Sequence, residues 1–324
     1  ILLVGTTRPG LPEEYVANLT RPEHVRHTTI ERLGPKDLAA LLEDTLQSER
    51  LAEELGFRIG KKSDGNPFFV FEIIRGLREG QLLRQRPDGT WETTQIIDEI
   101  EVPSSVLDLV NARVADLTEN ERNLLDVAAC WGFEFDPTLV AETLGIGRVP
   151  ALQTMAHIEK RHRLVRSAGQ RFAFDHHQVQ ETLYQGILEP LREEYHSAIA
   201  KALEARTQDA AAGAVSVDLC DHYLRSTQPE QALAHLDGAL DHLEEGFLND
   251  AAIALADRAL DAPELLAGVD RLRVLLRKNA RLDLLARGDV QEEVLREAAA
   301  LAGASGDAAR VASVASARGI LYLR

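Results

Sequence analysis

From Pro35 onward the 324-residue chain places its apolar side chains almost throughout at helical spacing. That restricts it to a mainly α fold. Only short stretches escape the pattern. Ile1-Leu-Leu-Val-Gly-Thr-Thr-Arg8 is a continuous apolar run with a polar tip, the signature of a strand buried on both faces of a parallel sheet, and Pro9, Gly10 and Pro12 stop it. A second β-type run, Val25 to Leu33, precedes Gly34-Pro35. Two strands do not make a stable sheet. The expectation is therefore that the chain, which starts at Ile1 inside a β-like run, is an excerpt of a longer polypeptide, with the rest of its sheet upstream.

Residues 35–101 read as a helical subdomain. Pro35 suits a first helical turn, and Leu38, Leu41, Leu42 and Leu46 recur at helical spacing. Residues 49–62 give a second amphipathic helix. Ser63-Asp-Gly-Asn-Pro67 breaks it, and a third begins at Phe68 with Phe68, Phe69, Phe71, Ile74 and Leu77 expected to face inward. Asp88-Gly89 suggests a small hairpin in the polar connection beyond it, anchored by Trp91 and Ile96-Ile97.

Residues 102–175 are the most legible stretch. Val102-Pro-Ser-Ser opens a helix, Thr118 with Glu121 forms a capping box for the next, and Asp136-Pro137 starts a third that ends at Gly145. Residues 148–163 make a fourth. Leu164 to Ser167 and Arg171 to Phe174, joined by Ala168-Gly169-Gln170, read as a hairpin. Short helices closed by a hairpin are the order of a winged helix. Residues 176–214 are connecting helices. In 215–324, Ala232-Leu-Ala-His-Leu and Ala251 through Pro263 place small residues where paired helices cross, a tetratricopeptide-like pattern with a period of about 34 residues. Gly288-Asp289 and Gly306-Asp307 read as turns of further pairs.

Composition narrows the function. A formal net charge of −16 repels nucleic acid and anionic membrane, so neither is an expected partner. Arg161, His162, Arg163, Arg166 and Arg171 cluster near the hairpin, where DNA contact would be argued, but Glu159 and the overall acidity oppose it. Cys130 and Cys220 form no metal-spaced pair and suit a reducing, cytoplasmic setting. His157, His162, His222 and His235 show no metal spacing either, and no metal site is expected. No Gly-x-Ser-x-Gly, His-Glu-x-x-His or Cys-His arrangement appears.

Three stretches together resemble the signal-transduction ATPases of the STAND class (AAA+/NACHT-like), nearest to the bacterial branch that joins the ATPase to tetratricopeptide repeats. Leu2-Leu-Val-Gly-Thr-Thr-Arg8-Pro9 is similar to the strand whose terminal Arg senses the γ-phosphate. Gly65-Asn66-Pro67-Phe68-Phe69 with Glu72 is similar to the Gly-x-Pro motif of the helical lid. Phe172-Ala-Phe-Asp-His176-His177-Gln-Val179, continuing to Glu181 and Tyr184, is similar to the end of the winged helix, where a His touches the ADP phosphates. The resemblance covers roughly residues 1–205. It departs from the family in three respects: the sequence has no Gly-x-x-x-x-Gly-Lys-Ser/Thr loop to cradle phosphates and no apolar strand ending in paired acids to hold Mg²⁺, and it has two adjacent histidines where the plant members have His-Asp.

The resemblance implies a remnant of an α/β P-loop domain at 1–34, a lid at 35–101, a winged helix at 102–175 and helical repeats at 215–324. It implies nucleotide contacts at Arg8 (γ-phosphate), Gly65, Asn66 and Pro67 (adenine) and His176 (ADP phosphates), with His177 the alternative for the last. ATP or ADP with Mg²⁺ would bind the parent protein, whereas this chain alone is expected to bind nucleotide weakly and not to hydrolyse it. Protein partners would dock on the repeats, and self-association of the parent is compatible with the class. The rival readings are an interaction scaffold with a structural ATPase remnant, and a transcription activator whose DNA-binding domain lies outside the chain.

Overall fold

The computed structural model describes residues 4–6, 17, 20–21, 25–94, 106–207 and 213–322. The chain divides into two compact units, Ile1–Leu109 and Val110–Arg324. Among the described residues it is mainly helical with two small antiparallel sheets. No helix among them is long and apolar enough to cross a membrane.

In the first unit, α1 (Pro35–Leu46), α2 (Glu49–Ser63) and α3 (Pro67–Glu79) pack around one apolar core. Pro35 occupies the first turn of α1, and its inward stripe Leu38, Leu42 and Leu46 is buried. Ser48 caps α2 through its side chain. Alanine and glycine let α1 and α2 approach: a Cβ on Gly60 would lie 2.7 Å from Leu38 Cδ2. On α3 the buried stripe is Val70, Ile73, Ile74 and Leu77. Of the expected inward face, Ile74 and Leu77 are buried and Phe68 and Phe69 half-buried, whereas Phe71 is 43% exposed and Val70 is buried in its place. Starting the helix at Pro67 sets Val70, Ile74 and Leu77 on one stripe, and the aromatic run flanks it.

β1 (Leu83–Gln85) and β2 (Trp91–Thr93) close this unit as a hairpin. Asp88 Oδ1 accepts from both the backbone N–H and the hydroxyl of Thr90, and Gly89 supplies φ +91°. The Arg78 guanidinium stacks 4.1 Å over the Trp91 ring. Ile96-Ile97 lie outside the described residues. So do residues 1–3 and 7–8 of the first expected strand; Val4–Thr6 form no strand and Val4 is 80% exposed. The Val25–Leu33 run is likewise irregular, with Ile30 93% exposed. An extended segment becomes a strand only when a neighbour pairs its N–H and C=O groups. No such neighbour exists among the described residues, so the expected P-loop strands are not seen there.

The second unit is organised by α5 (Glu119–Trp131), preceded by α4 (Val106–Ala115). α5 is buried at Glu121 and continuously from Leu124 to Cys130. Around it stand β3 (Glu134–Phe135), α6 (Pro137–Thr143), α7 (Arg148–Arg161), β4 (Val165–Ala168), β5 (Arg171–Phe174), α8 (His177–Gly186) and α9 (Glu189–Arg206). The sheet order is β3-β5-β4, with Phe135 opposite Phe172. Its core is aromatic: Phe135 and Phe174 are fully buried with ring centroids 5.3 Å apart. The two-residue β3 goes beyond the hairpin that the sequence suggests; it exists only because β5 pairs with it. Arg206 on α9 bridges Asp136 (2.8 Å) and Glu142 (2.6 Å) on α6.

The remaining helices stack in order: α10 (Ala214–Leu224), a 3₁₀ turn (Pro229–Ala232), α11 (Leu233–Glu245), α12 (Asn249–Asp261), α13 (Gly268–Leu284), α14 (Gly288–Ser305) and α15 (Ala308–Tyr322). Ala239, Ala252, Ala256, Ala259 and Ala298 are buried at the crossings. Gly306 ends α14 with φ +67°, and Asp307 then accepts from the Ala309 N–H to begin α15. α11 and α12 have 13 residues each, α13 and α14 have 17 and 18. The repeat lengthens along the array and departs from a strict period.

A buried polar chain joins α8, α9 and α10. Tyr184 Oη lies 3.1 Å from His196 Nε2, His196 Nδ1 lies 2.8 Å from His222 Nδ1, and the His222 ring stacks on Trp131. Burial, joined by its neighbour His222 and by Arg225, Arg192 and Arg258, pushes His196 down to about 2. Burial also pushes His222 to about 4, with Asp221 opposing and Arg225 assisting. Both rings are neutral when folded, whereas an unfolded His takes up its proton near pH 6.5. Between about pH 6.5 and 4 the unfolded chain binds more protons, so folding stability falls as pH falls through that window and is flat above it. We expect denaturant unfolding of the full chain to show a decline of up to about 1.4 kcal/mol per pH unit for each histidine below pH 6.5. The decline should be shallower in His222→Asn. A wild-type profile that is flat from pH 6.5 to 4.5 would contradict the neutral pair.

Candidate functional site

The Gly65-Asn66-Pro67 turn is built by three local devices. Asp64 and Gly65 both take left-handed backbone, at φ +48° and +68°, which unwinds the end of α2. The Asn66 side chain accepts from the Phe68 N–H at 3.1 Å and caps α3. Pro67 then fills the first helical position, where no intrahelical bond needs the N–H it lacks.

Glycine is required at position 65. The Leu33 N–H donates to the Gly65 carbonyl at 2.8 Å, and Arg32 donates to the Asp64 carbonyl at 3.0 Å while pairing with its carboxylate at 2.8 Å. Those bonds strap the segment before α1 against the turn so closely that a Cβ on Gly65 would sit 2.5 Å from the Leu33 carbonyl oxygen.

The strap forms one wall of a cleft of about 600 Å³. Leu33, Pro35, Leu38 and Ala39 line one side; Ala52, Gly56, Phe57 and Gly60 of α2 line the other. Arg32, Lys61, Glu53 and Asp64 supply charge at its edges. An apolar slot of that volume, with a few charges, is the ordinary form of a small-molecule site. Phe57, 81% exposed, adds an aromatic ring to the lining.

His176 is in the second unit, at the N-cap of α8. Its Nδ1 accepts from the Gln178 N–H at 3.1 Å, which leaves the ring proton on Nε2. His177 is different: its ring stacks on Phe133 with centroids 3.9 Å apart. Of the adjacent pair, His176 is the one whose tautomer is set by the backbone. Gly65 therefore lines a cleft in one unit, with Asn66 and Pro67 following it in sequence; His176 belongs to the other unit, and Arg8 lies outside the described residues.

One grouping has no counterpart in the sequence pattern. Glu121, in the first turn of α5, His157 on α7 and His162 at the α7 C-cap bring one ligand atom each to within 4.8 Å of one another. In sequence the two histidines are five apart and the glutamate lies more than thirty residues upstream. Only the packing of α7 on α5 joins them. Sequence spacing alone does not reveal this grouping.

No family model matches the chain, and no curated protein matches it. Among solved structures it aligns with the crystal structure of a signal transduction ATPase with numerous domains (STAND) protein with a tetratricopeptide repeat sensor from Pyrococcus horikoshii. The identity is 11% and the TM-score 0.39, over 90% of this chain and 44% of that one. The chain thus spans less than half the length of the protein it aligns with.

Replacing Gly65 by Ala forces a Cβ into the left-handed region and against Leu33. We expect a loss of about 1–3 kcal/mol in the first unit, read as faster hydrogen exchange at the Leu33 amide. Unchanged protection there would show that the strap does not depend on this glycine.

Proposed function

We propose that the chain is the regulatory segment of an ATP-dependent signal-transduction switch. In this reading residues 35–101 are a lid that receives the adenine, and residues 102–175 are a winged helix. His176 turns an Nε2–H toward ADP phosphates, and the helices of 215–324 bind a protein partner. Arg8 is the proposed γ-phosphate contact. ATP or ADP and Mg²⁺ would be held by a phosphate loop that this sequence does not contain.

The observation that carries the reading is the cleft beside Gly65-Asn66-Pro67. A purine is flat and largely apolar on its faces, and the slot between Leu33, Leu38, Gly56 and Phe57 suits such a ring. Lys61 supplies positive charge at the slot's edge, where Arg32 is already paired with Asp64. The supporting observation is the fixed tautomer of His176. A switch needs contacts that differ between its two nucleotide states, and a donor held by the backbone discriminates well because it does not reorient.

Saturation-transfer NMR on the full chain with adenosine and ADP at millimolar concentration tests the lid assignment. Transfer to the adenine protons is expected from the wild type and should vanish in Gly56→Leu. A Cβ at Gly56 meets only Leu42 Cδ1, at 3.7 Å, so the variant should fold while its side chain fills the slot. No transfer from the wild type, or equal transfer from the variant, would remove adenine from this site. Phosphate release from ATP above background would overturn the sensing role in favour of turnover.

A further inference from the structure

Glu121, His157 and His162 have the chemistry of a transition-metal site, and they lie outside the cleft and the proposed nucleotide contacts. The Glu121 side chain is 6% exposed and the His162 side chain 5%. Glu121 Oε1 lies 3.6 Å from His162 Nε2 and 3.6 Å from His157 Nε2. Neither distance makes a hydrogen bond. His162 Nε2 is a buried ring nitrogen with no hydrogen-bond partner, aimed at the same carboxylate oxygen. A buried polar atom left unpaired in a native fold calls for an explanation such as an ion.

We propose that Glu121 Oε1, His157 Nε2 and His162 Nε2 bind one divalent transition-metal ion of the zinc class, with the fourth position open to water. In a tetrahedral site with bonds near 2.0–2.1 Å, ligand atoms stand about 3.3 Å apart. The two 3.6 Å separations need only a small contraction. His157, 54% exposed, is free to swing the remaining distance and leaves an entry path from solvent. Two imidazoles and one carboxylate favour zinc, cobalt or nickel over calcium or magnesium, which take oxygen ligands.

The surroundings support the ligand set. The other carboxylate oxygen, Glu121 Oε2, accepts from the Thr118 N–H (2.8 Å) and the Thr118 hydroxyl (2.7 Å). Those bonds fix the carboxylate plane and leave Oε1 as the outward ligand; metal-bound groups are commonly oriented by such contacts from behind. His162 is the residue at which α7 ends; its N–H and that of Arg163 both donate to the Ile158 carbonyl. The negative end of the α7 dipole favours a cation there. Arg161 opposes it and Asp116 assists, both near enough to act on His162. A bound ion would tie the first turn of α5 to the last of α7, so occupancy would stiffen the unit that contains His176.

The test is cobalt titration of the full chain after chelator treatment. One equivalent of Co²⁺ is expected to give intense visible d–d bands typical of four- or five-coordination, and one equivalent of Zn²⁺ should bleach them. Zn²⁺ should also raise the melting temperature. His157→Ala removes an exposed ligand with little risk to the fold. It should weaken binding by more than the roughly 10–100-fold lost when a residue that only orients a ligand is removed, and should abolish the Zn²⁺ shift in melting. His235→Ala, which removes a histidine far along the chain, should leave both intact. Absence of one-to-one binding at about 100 micromolar metal, or equal binding by wild type and His157→Ala, would overturn the proposal.

Discussion

The reciprocal cap between Thr118 and Glu121 sets the start of α5, and the second unit is arranged around that helix. The Glu121 N–H donates to the Thr118 hydroxyl at 3.4 Å while Glu121 Oε2 accepts from the Thr118 N–H, so two N–H groups at the helix start are satisfied at once. Beyond the cap the helix is buried on nearly every side, from Leu124 through Cys130. Such a helix has no solvent face to set its phase, so its position must be fixed at an end. With the end fixed, α6, α7, α8, α9 and β3 all pack on it. Gln180 of α8 donates to the Ala129 carbonyl at 2.8 Å, and Cys130 is enclosed so fully that burial pushes its thiol up to about 12. The Glu121 carboxylate is partly desolvated in this position. Burial works to raise its pKa, but the two bonds from Thr118 and the nearby His162 and His157 outweigh it and hold the group below its ordinary value.

A chain with a net charge of −16 must also manage repulsion between stacked acidic helices. It does so by seating arginines where acidic faces meet. Arg277 of α13 reaches Asp241 (2.5 Å) and Glu244 (2.9 Å) of α11, skipping the helix between them in sequence. Arg258 of α12 reaches Asp221 of α10 in the same next-but-one fashion, and Arg225 shares that aspartate. The planar guanidinium fork can satisfy several carboxylates at once, which a lysine ammonium does with less geometric definition. Exposed pairs of this kind are individually weak. Their joint effect is register: an arginine between helices i and i+2 penalises any slip of the array.

The features legible in the sequence were local, and those it hid were pairwise. Asp136-Pro137, Thr118 with Glu121, Asn66-Pro67 and Gly306-Asp307 each state a helix boundary within a few residues, and the helices begin or end there. Periodicity placed Leu38, Leu42 and Leu46 inside. On α3 it placed Ile74 and Leu77 inside but also Phe71, which is exposed while Val70 is buried, a choice made by the contact with α2. The Val25–Leu33 run shows the opposite error: β propensity without a partner strand yields irregular backbone. β3 and the Glu121–His157–His162 grouping were invisible for one shared reason. Each is created by residues far apart in sequence, brought together by packing that no single segment announces.

The candidate functional residues share a location that explains why they are held so firmly. Gly65, Asn66 and Pro67 end one helix and begin the next; His176 caps α8; Glu121 lies in the first turn of α5; His162 caps α7. At a helix end the backbone offers unpaired donors or acceptors, and a side chain that satisfies one of them loses its rotational freedom for a structural reason. Asn66 Oδ1, His176 Nδ1 and Glu121 Oε2 are committed in that way. In His176 and Glu121 the second polar atom of the same group, Nε2 or Oε1, is then aimed without further loss of freedom. A ligand meeting such an atom gives up little entropy for its placement. Capping, needed first to start a helix, therefore also fixes the direction of the second polar atom in these two side chains.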